Sequence, residues 1–271
     1  MTSVAGQDVA ILPEFFRPRS GVPLVRIGRD NDGGYLIDRR NLDHTEILIN
    51  MGVFNDWSFE EHFLSKRTVP LICYDRTVSA WKFFIKLYTH MFLFEPVNSW
   101  NALKPFVAYL RFFNSTTRIH RKENIASENG DGVVSPETVL TRDVPSDCRN
   151  LFFNIDIEGS EYQILDSLVA HADRIEGLAI EFHDVDRNIA RIHRFIRDFP
   201  LALCHVHPNN HALVLDDRTP TVVECTFTRR PADGTGTVDL PHELDMRNTL
   251  KQPELSVEFR DIREADRIGI T

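Results

Sequence analysis

Two carboxylates, Asp156 and Glu158, close the apolar run at the start of LFFNIDIEGSEYQIL (151–165). Glu181 and His183 repeat that spacing at the end of a second apolar run, GLAIEFHD (177–184). A third polar group, HVHPNNH, carries His205, His207 and His211 with Asn209 and Asn210. Acids held side by side at the mouth of buried strands resist ionisation unless a cation or a proton-transfer task uses them. An acid beside a histidine suits general-base chemistry. The ring takes a proton from a hydroxyl, and the carboxylate orients the ring and favours its charged form. His183 is the favoured base, Asp156 and Glu158 its orienting partners, and His207 the reserve. The same residue types could hold a divalent ion, but no predicted helix carries an HxxxH or HExxH spacing, so no metal is expected.

These groups need strands that end at one edge of a sheet. EILINMGVF (46–54), VPLICYD (69–75), a strand around Arg118–Ala126, LFFNIDI, GLAIEFHD and LALCHVH (201–207) read as such strands, with HALVLD and TVVECTFT as a closing antiparallel pair. Ile189, Ile192, Ile196 and Phe199 follow a 3-4-3 spacing that predicts a helix over about 187–199. Strands alternating with helices imply a doubly wound α/β sheet, whose ligands sit outside the carboxyl ends of its strands. LVRIGRDNDGGYLI (24–37) reads as a hairpin turning at Asn31–Gly34, and Asn55 or Asp56 could cap the helix beginning near Trp57.

A nucleotide-type cofactor would lie at the loop after the first strand. That loop holds a single glycine, Gly52, so the GxGxxG fingerprint that brings backbone amides against a pyrophosphate is missing. This argues against an NAD-linked oxidoreductase. S-adenosylmethionine carries no phosphate, and its sulfonium tolerates acidic neighbours such as Asp56 and Glu60. Asp75, ending the next strand, is placed to accept hydrogen bonds from ribose hydroxyls.

At 271 residues and 42% hydrophobic composition the chain can bury a sizeable core. A net charge of −9 argues against a general nucleic-acid partner. Neither a signal peptide nor an 18-residue apolar span is evident. Four scattered cysteines without a CxxC pair fit small buried hydrophobes in a reducing compartment, so a cytoplasmic location is expected. Residues 1–23, with Pro13, Pro18 and Pro23, are expected to form an irregular arm, 24–240 the main domain, and 241–271 a charged tail of little signal. Residues 78–115 exceed a normal crossover and hold eleven aromatics. They read as a helical insertion packed on the sheet, with a cap over an acceptor pocket or a peripheral membrane element as alternatives.

Taken together, NIDIEGSEYQIL with LAIEFHD resembles the signature of the FkbM-type S-adenosylmethionine-dependent methyltransferases. RIGRDNDGGYLI, ILINMGVFNDWSFEEHF, LICYDRTV and HVHPNNHALVL…VVECTFTRR resemble the rest of one branch of that family, so the likeness spans residues 24–230 apart from the insertion. It implies a class I methyltransferase (Rossmann-like) fold, a seven-stranded sheet with an antiparallel last strand, and O-methylation of a sugar, glycan or related natural-product acceptor. By position it places Gly52 and its loop, including Asn55 and Asp56, at the methionine part of the cofactor and Asp75 at the ribose. Glu123–Ala126, with Asn124, fall near the adenine, Asp156 and Glu158 at the reaction mouth, and His183 toward the acceptor. The chain departs from common methyltransferases at Asn50, where an acid often begins the first motif, and Asp32 or Asp56 could stand in for it. A non-catalytic binding or scaffold protein on the same fold is the alternative reading.

Overall fold

The computed structural model describes residues 8–93, 96–113, 115–232, 234, 236 and 238–261. Seven strands form the central sheet: β1 (Ile47–Met51), β2 (Leu71–Tyr74), β3 (Arg118–Arg121), β4 (Leu151–Ile155), β5 (Ile175–Phe182), β6 (Ala202–Pro208) and β7 (Val223–Thr228). Their spatial order is β6-β7-β5-β4-β1-β2-β3, and β7 runs antiparallel to both neighbours while the other pairings are parallel. This is the doubly wound sheet with an antiparallel last strand that the sequence resemblance implied. Every residue of β1, β2, β4 and β5 is buried. That explains their near-continuous apolar sequences, because helices cover both faces of a parallel sheet.

Side chains alternate across each strand, so each strand feeds two cores. Ile47, Ile49 and Met51 of β1, with Leu151, Phe153 and Ile155 of β4, join one core. Leu48 and Phe152 join the other, with Trp57, Phe59 and Phe63. The helices are α1 (Arg39–His44), α2 (Ser58–Lys66), α3 (Ala80–Phe92), α4 (Pro96–Phe113), α5 (Pro136–Arg142), α6 (Leu165–Ala170) and α7 (Val185–Asp198). Helix α7 buries Ile192 as its spacing predicts, with Ile189 and Ile196 packed against the same core and Phe199 buried just past its end; Phe195, outside that spacing, is buried as well.

The aromatic insertion is the pair α3 and α4. Helix α4 is pinned inward: Tyr109 and Phe112 are buried against Trp57, and the Tyr109 hydroxyl shares a 2.5 Å hydrogen bond with His120 Nδ1 on β3. Phe94 lies outside the described residues. All four cysteines are buried and unpaired.

Several local expectations give way. The arm forms a strand, Val9–Pro13, paired in parallel with Ser256–Arg260. Its alternation, with Ala10 and Leu12 inward, outweighs the nearby prolines. HALVLD is not a sheet strand; β6 itself pairs with β7, and residues 211–216 contribute only the isolated bridge Val214↔Pro220. Asn209 and Asn210 cause this by turning the chain out of the sheet: Asn209 Oδ1 accepts from the His211 amide, and Asn210 Nδ2 donates to carbonyls of Thr249, Gln252 and Pro253. The strand around 118–126 splits after Arg121, and Asn124–Ile125 pairs with Val133–Val134 instead. The hairpin holds, Leu24–Ile27 against Tyr35–Asp38. Its turn requires Gly34, where a Cβ would lie 2.1 Å from the Arg29 carbonyl oxygen.

Candidate active site

The ends of β1 and β4 lie side by side at the centre of the sheet, where the strand order reverses. The Gly52 amide donates to the Tyr74 carbonyl and the Asp156 amide to the Met51 carbonyl. Gly52 has φ +98°, and a Cβ there would sit 1.6 Å from the Asp156 carbonyl oxygen. Only glycine lets the two loops touch at this point.

Beside this contact lies a cavity of about 330 Å³, within the range ligand pockets occupy. Five residues singled out in the sequence line it: Gly52, Asp75, Asn124, Asp156 and Glu158. Phe54, Tyr74, Thr77, Ile125, Ile157 and Ser160 complete the lining. None of the lining residues belongs to the insertion, so the cap reading finds no support among the described residues. Two wider clefts, about 630 and 620 Å³, hold neither Asp156, Glu158 nor His183.

Asp75 is buried, and its carboxylate accepts from the Phe54 amide at 2.6 Å and from the Thr77 amide and hydroxyl at 2.5 Å each. A carboxylate has about four acceptor directions, so one is left for a ligand. The Asn124 Oδ1 accepts from the Arg76 amide. Asn55 and Asp56 lie outside the cavity wall. Asn55 is exposed, while Asp56 accepts from the Ser58 amide at the start of α2 and lies 3.0 Å from Arg29 Nε. Neither therefore reaches the cavity as expected: Asp56 serves the helix start and an ion pair, and Asn55 faces solvent. Asn50, on the face opposite Met51, donates to Glu60 of α2, as does Asn154 at 3.3 Å. An acid does sit beside Asn50, but it comes from the helix. Burial pushes Glu60 up to about 7.

The acidic mouth gathers four carboxylates around one imidazole. His183 Nδ1 shares a 3.2 Å hydrogen bond with Glu161 Oε1. Its Nε2 faces Glu158 at 3.6 Å, Glu181 at 3.7 Å and Asp156 at 3.9 Å. Glu161 is fully buried and also accepts from the Ile157 and Gly159 amides, which fixes the loop carrying Asp156 and Glu158. Within that loop Glu158 and Gly159 both adopt positive φ, +54° and +94°. Such backbone persists in a non-glycine residue only when its surroundings enforce it. The Tyr162 hydroxyl donates to the His183 carbonyl and anchors the other side.

Burial opposes charge on His183, but Glu161, Asp156 and Glu158 outweigh it and hold the ring above the ordinary histidine range. Burial, with Glu158 and Glu161 adding to it against the pull of His183, lifts Asp156 to about 7. Glu181 is pushed well up by burial and by Asp156 and Glu224, although Tyr35 and Asn209 donate to it. The mouth is thus a set of acids, from fully buried Glu161 to exposed Glu158, in which two oxygens, Asp156 Oδ1 and Glu161 Oε2, have no hydrogen-bond partner. Asp156, Glu161 and His183 each place a ligand atom within 4.8 Å of the others, as do Asp32, Glu181 and Glu224, and either trio could hold a divalent ion.

His207 does not join this mouth. Its Nδ1 contacts buried Glu224 at 3.1 Å and its Nε2 contacts half-buried Glu254 at 3.0 Å. With both nitrogens taken it offers none to an acceptor, and the reserve-base expectation is replaced by a structural ion pair. Glu161 was missed in the sequence, though its DIEGSE spacing held the signal: an acid three residues after Glu158 can fold back onto the amides of a tight turn.

No family model and no curated protein matches the sequence. Among solved structures, similarity is found to a precorrin-6y C5,15-methyltransferase from Geobacter metallireducens, at 12% identity over 70% of this chain and 84% of that one, TM-score 0.37. An rRNA methylase from Streptococcus thermophilus matches at 13% identity over 70% and 96%, TM-score 0.36. A geranyl diphosphate methyltransferase solved with S-adenosylmethionine matches at 10% over 70% and 83%, TM-score 0.33. The fold is that of the class I methyltransferases. Strand order and the antiparallel β7 define it, not these distant likenesses.

Proposed function

We propose that this chain is an S-adenosylmethionine-dependent O-methyltransferase acting on a hydroxyl of a sugar, glycan or related natural-product acceptor. The observation that carries the reading is the convergence, at the switch point of the sheet, of a ligand-sized cavity with the acidic mouth around His183. The residues fit the cofactor. A mouth rich in carboxylates, with an unpartnered Asp156 oxygen, favours a cationic ligand, and the absence of a phosphate loop suits a ligand without phosphate. Gly52 and its loop take the methionine part, Asp75 the ribose, and Asn124 with Ile125 the adenine.

When bound, the cofactor supplies an electrophilic methyl group. Glu161 holds His183 with Nδ1–H toward itself, leaving Nε2 to accept the acceptor hydroxyl proton as the oxygen attacks. Asp156 and Glu158 orient the acceptor and balance the charge that appears on His183. The sequence reading gave the orienting role to Asp156 or Glu158; the hydrogen bond favours Glu161 for it.

Dialysed protein should bind S-adenosylmethionine and S-adenosylhomocysteine by calorimetry; absence of heat and of thermal shift with both would sink the reading. A mass-spectrometric acceptor screen for the gain of one methyl group, with and without chelator, then separates catalysis from binding alone. Cofactor binding with no product from any hydroxyl acceptor would favour the scaffold alternative.

A further inference from the structure

Helix α3 carries an apolar stripe on its outer side. Trp81, Phe84, Ile85, Tyr88 and Phe92 are all exposed, with Trp81 at 63%, Tyr88 at 59% and Phe92 at 71%. At about 100° per residue these five positions share roughly 100° of arc, opposite the buried Phe83. Their rings form a continuous row: Trp81 to Phe84 at 5.5 Å, Phe84 to Tyr88 at 6.4 Å and Tyr88 to Phe92 at 6.4 Å, each pair stacked. A surface helix of a water-soluble domain normally turns polar groups outward. An exposed aromatic row of this length marks a surface that another phase or partner covers.

The charge of the segment says which. Between residues 78 and 115 the sequence has Lys82, Lys86, Lys104 and Arg111 against one acid, Glu95, in a chain whose net charge is −9. A locally basic, aromatic-rich pair of helices, with Lys82 and Lys86 on α3 and Lys104 and Arg111 on α4, complements an anionic lipid surface, where Trp, Tyr and Phe settle at headgroup depth and Lys or Arg meet the phosphates. No described helix is long and apolar enough to cross a membrane.

We infer that α3 docks this protein on the surface of an anionic bilayer, lying in the interface plane with Trp81, Tyr88 and Phe92 inserted. The helix begins three residues after Thr77, which lines the ligand cavity, and the Lys82 ammonium donates to the Thr77 carbonyl. Phe54, 65% exposed, also lines the cavity, tied to Asp75 through its amide. Docking through α3 therefore sets the cavity rim against the lipid surface. Its consequence, that the acceptor is an amphiphile met at the bilayer, rests on the methyltransferase reading; membrane binding itself does not.

The test uses the full chain without cofactor or acceptor, so its outcome is separate from that of the methyltransferase reading. Co-sedimentation is measured with phosphatidylcholine vesicles, with and without phosphatidylglycerol. The expected result is binding to the anionic vesicles, roughly tenfold or more above neutral ones and weakened by salt. The triple variant Trp81→Ser, Tyr88→Ser, Phe92→Ser should lose that binding while keeping its unfolding temperature. Quenching of tryptophan fluorescence by brominated lipid in the unaltered chain supplies a second readout, should the variant not fold. No binding to anionic vesicles and no quenching would overturn the inference. So would a dimer that the triple variant converts to monomer without any vesicle binding, which would mark α3 as a self-association face.

Discussion

Glu161 Oε1 and His183 Nδ1, twenty-two residues apart in sequence, meet at 3.2 Å across the ends of adjacent strands. This contact fixes which ring nitrogen faces the other three carboxylates, and with it the pH behaviour of the proposed base. His183 is held above the ordinary histidine range, so the free ring becomes abundant only at higher pH than in an ordinary histidine. Methyl transfer should climb with pH through an apparent pKa above about 6.5. In Glu161→Gln that inflection should move to lower pH and turnover should fall by about 10-fold to 10²-fold, and His183→Ala should spare cofactor binding while lowering turnover about 10²-fold or more. A pH profile unchanged by Glu161→Gln would remove Glu161 from the orienting role.

Asp75→Ala should weaken S-adenosylmethionine binding by about 1–3 kcal/mol, the range for losing a buried charged hydrogen bond. The same change also strips acceptors from the Phe54 and Thr77 amides, so some thermal stability goes with it. Asp75→Asn separates the two effects, because it keeps an acceptor oxygen for the loop while removing the charge. Calorimetry that finds wild-type affinity in the Ala variant would contradict the ribose assignment.

Glu60 is an acid whose native pKa, about 7, exceeds its unfolded value. The native state then binds more protons than the unfolded one, and stability falls as pH rises from about 4.5 to 7. At one pKa unit per 1.36 kcal/mol the loss is roughly 3 kcal/mol. Glu60→Gln keeps the side-chain oxygen that Asn50 and Asn154 donate to and removes the titration. Denaturant unfolding across this window should show the variant gaining on the parent as pH rises. Parallel curves would place the Glu60 titration elsewhere.

His207 has the same sense but a higher pH window. Burial works against its charge, yet Glu224 and Glu254 prevail and keep the ring protonated well above the usual range. A raised histidine pKa contributes its stability fully below about pH 6.5 and loses it as pH climbs through the folded value. His207→Ala leaves Glu224 and Glu254 without their cation, and should destabilise the fold by about 3–5 kcal/mol at neutral pH. Hydrogen exchange should accelerate first in the segment around Glu254, whose side chain loses its partner. Unchanged exchange there would show that the ion pair does not hold that segment.

The parts of the fold that could be read in the sequence are those whose partners are nearby or whose chemistry is dense. Strands β1, β4 and β5 announce themselves because burial on both faces leaves no polar interruption except Asn50, Asn154, Glu176 and Glu181. Asp156, Glu158, Glu181 and His183 are conspicuous as polar groups at the ends of such runs. Glu161 was hidden because its role depends on a loop of positive-φ residues folding back on it. The segment after residue 241 was hidden for another reason. Asp245, Asn248 and Glu254 look like ordinary solvated polar residues until His205, Glu224 and His207 are seen across 40, 24 and 47 residues of chain. The strand Val9–Pro13 is stable only against Ser256–Arg260 at the far end, which no local pattern could reveal.

The contact of Gly52 with the Asp156 carbonyl bears on how a ligand would be admitted. Two loops locked backbone to backbone, one further clamped by Glu161, have little conformational freedom left to surrender. The cavity is preorganised, so binding there forfeits little entropy of ordering, and affinity reflects contact quality instead of loop closure. Enlarging residue 52, even to alanine, should therefore act less by blocking space than by prising the β1 and β4 loops apart, turning a rigid lip into one that must be ordered anew at each encounter.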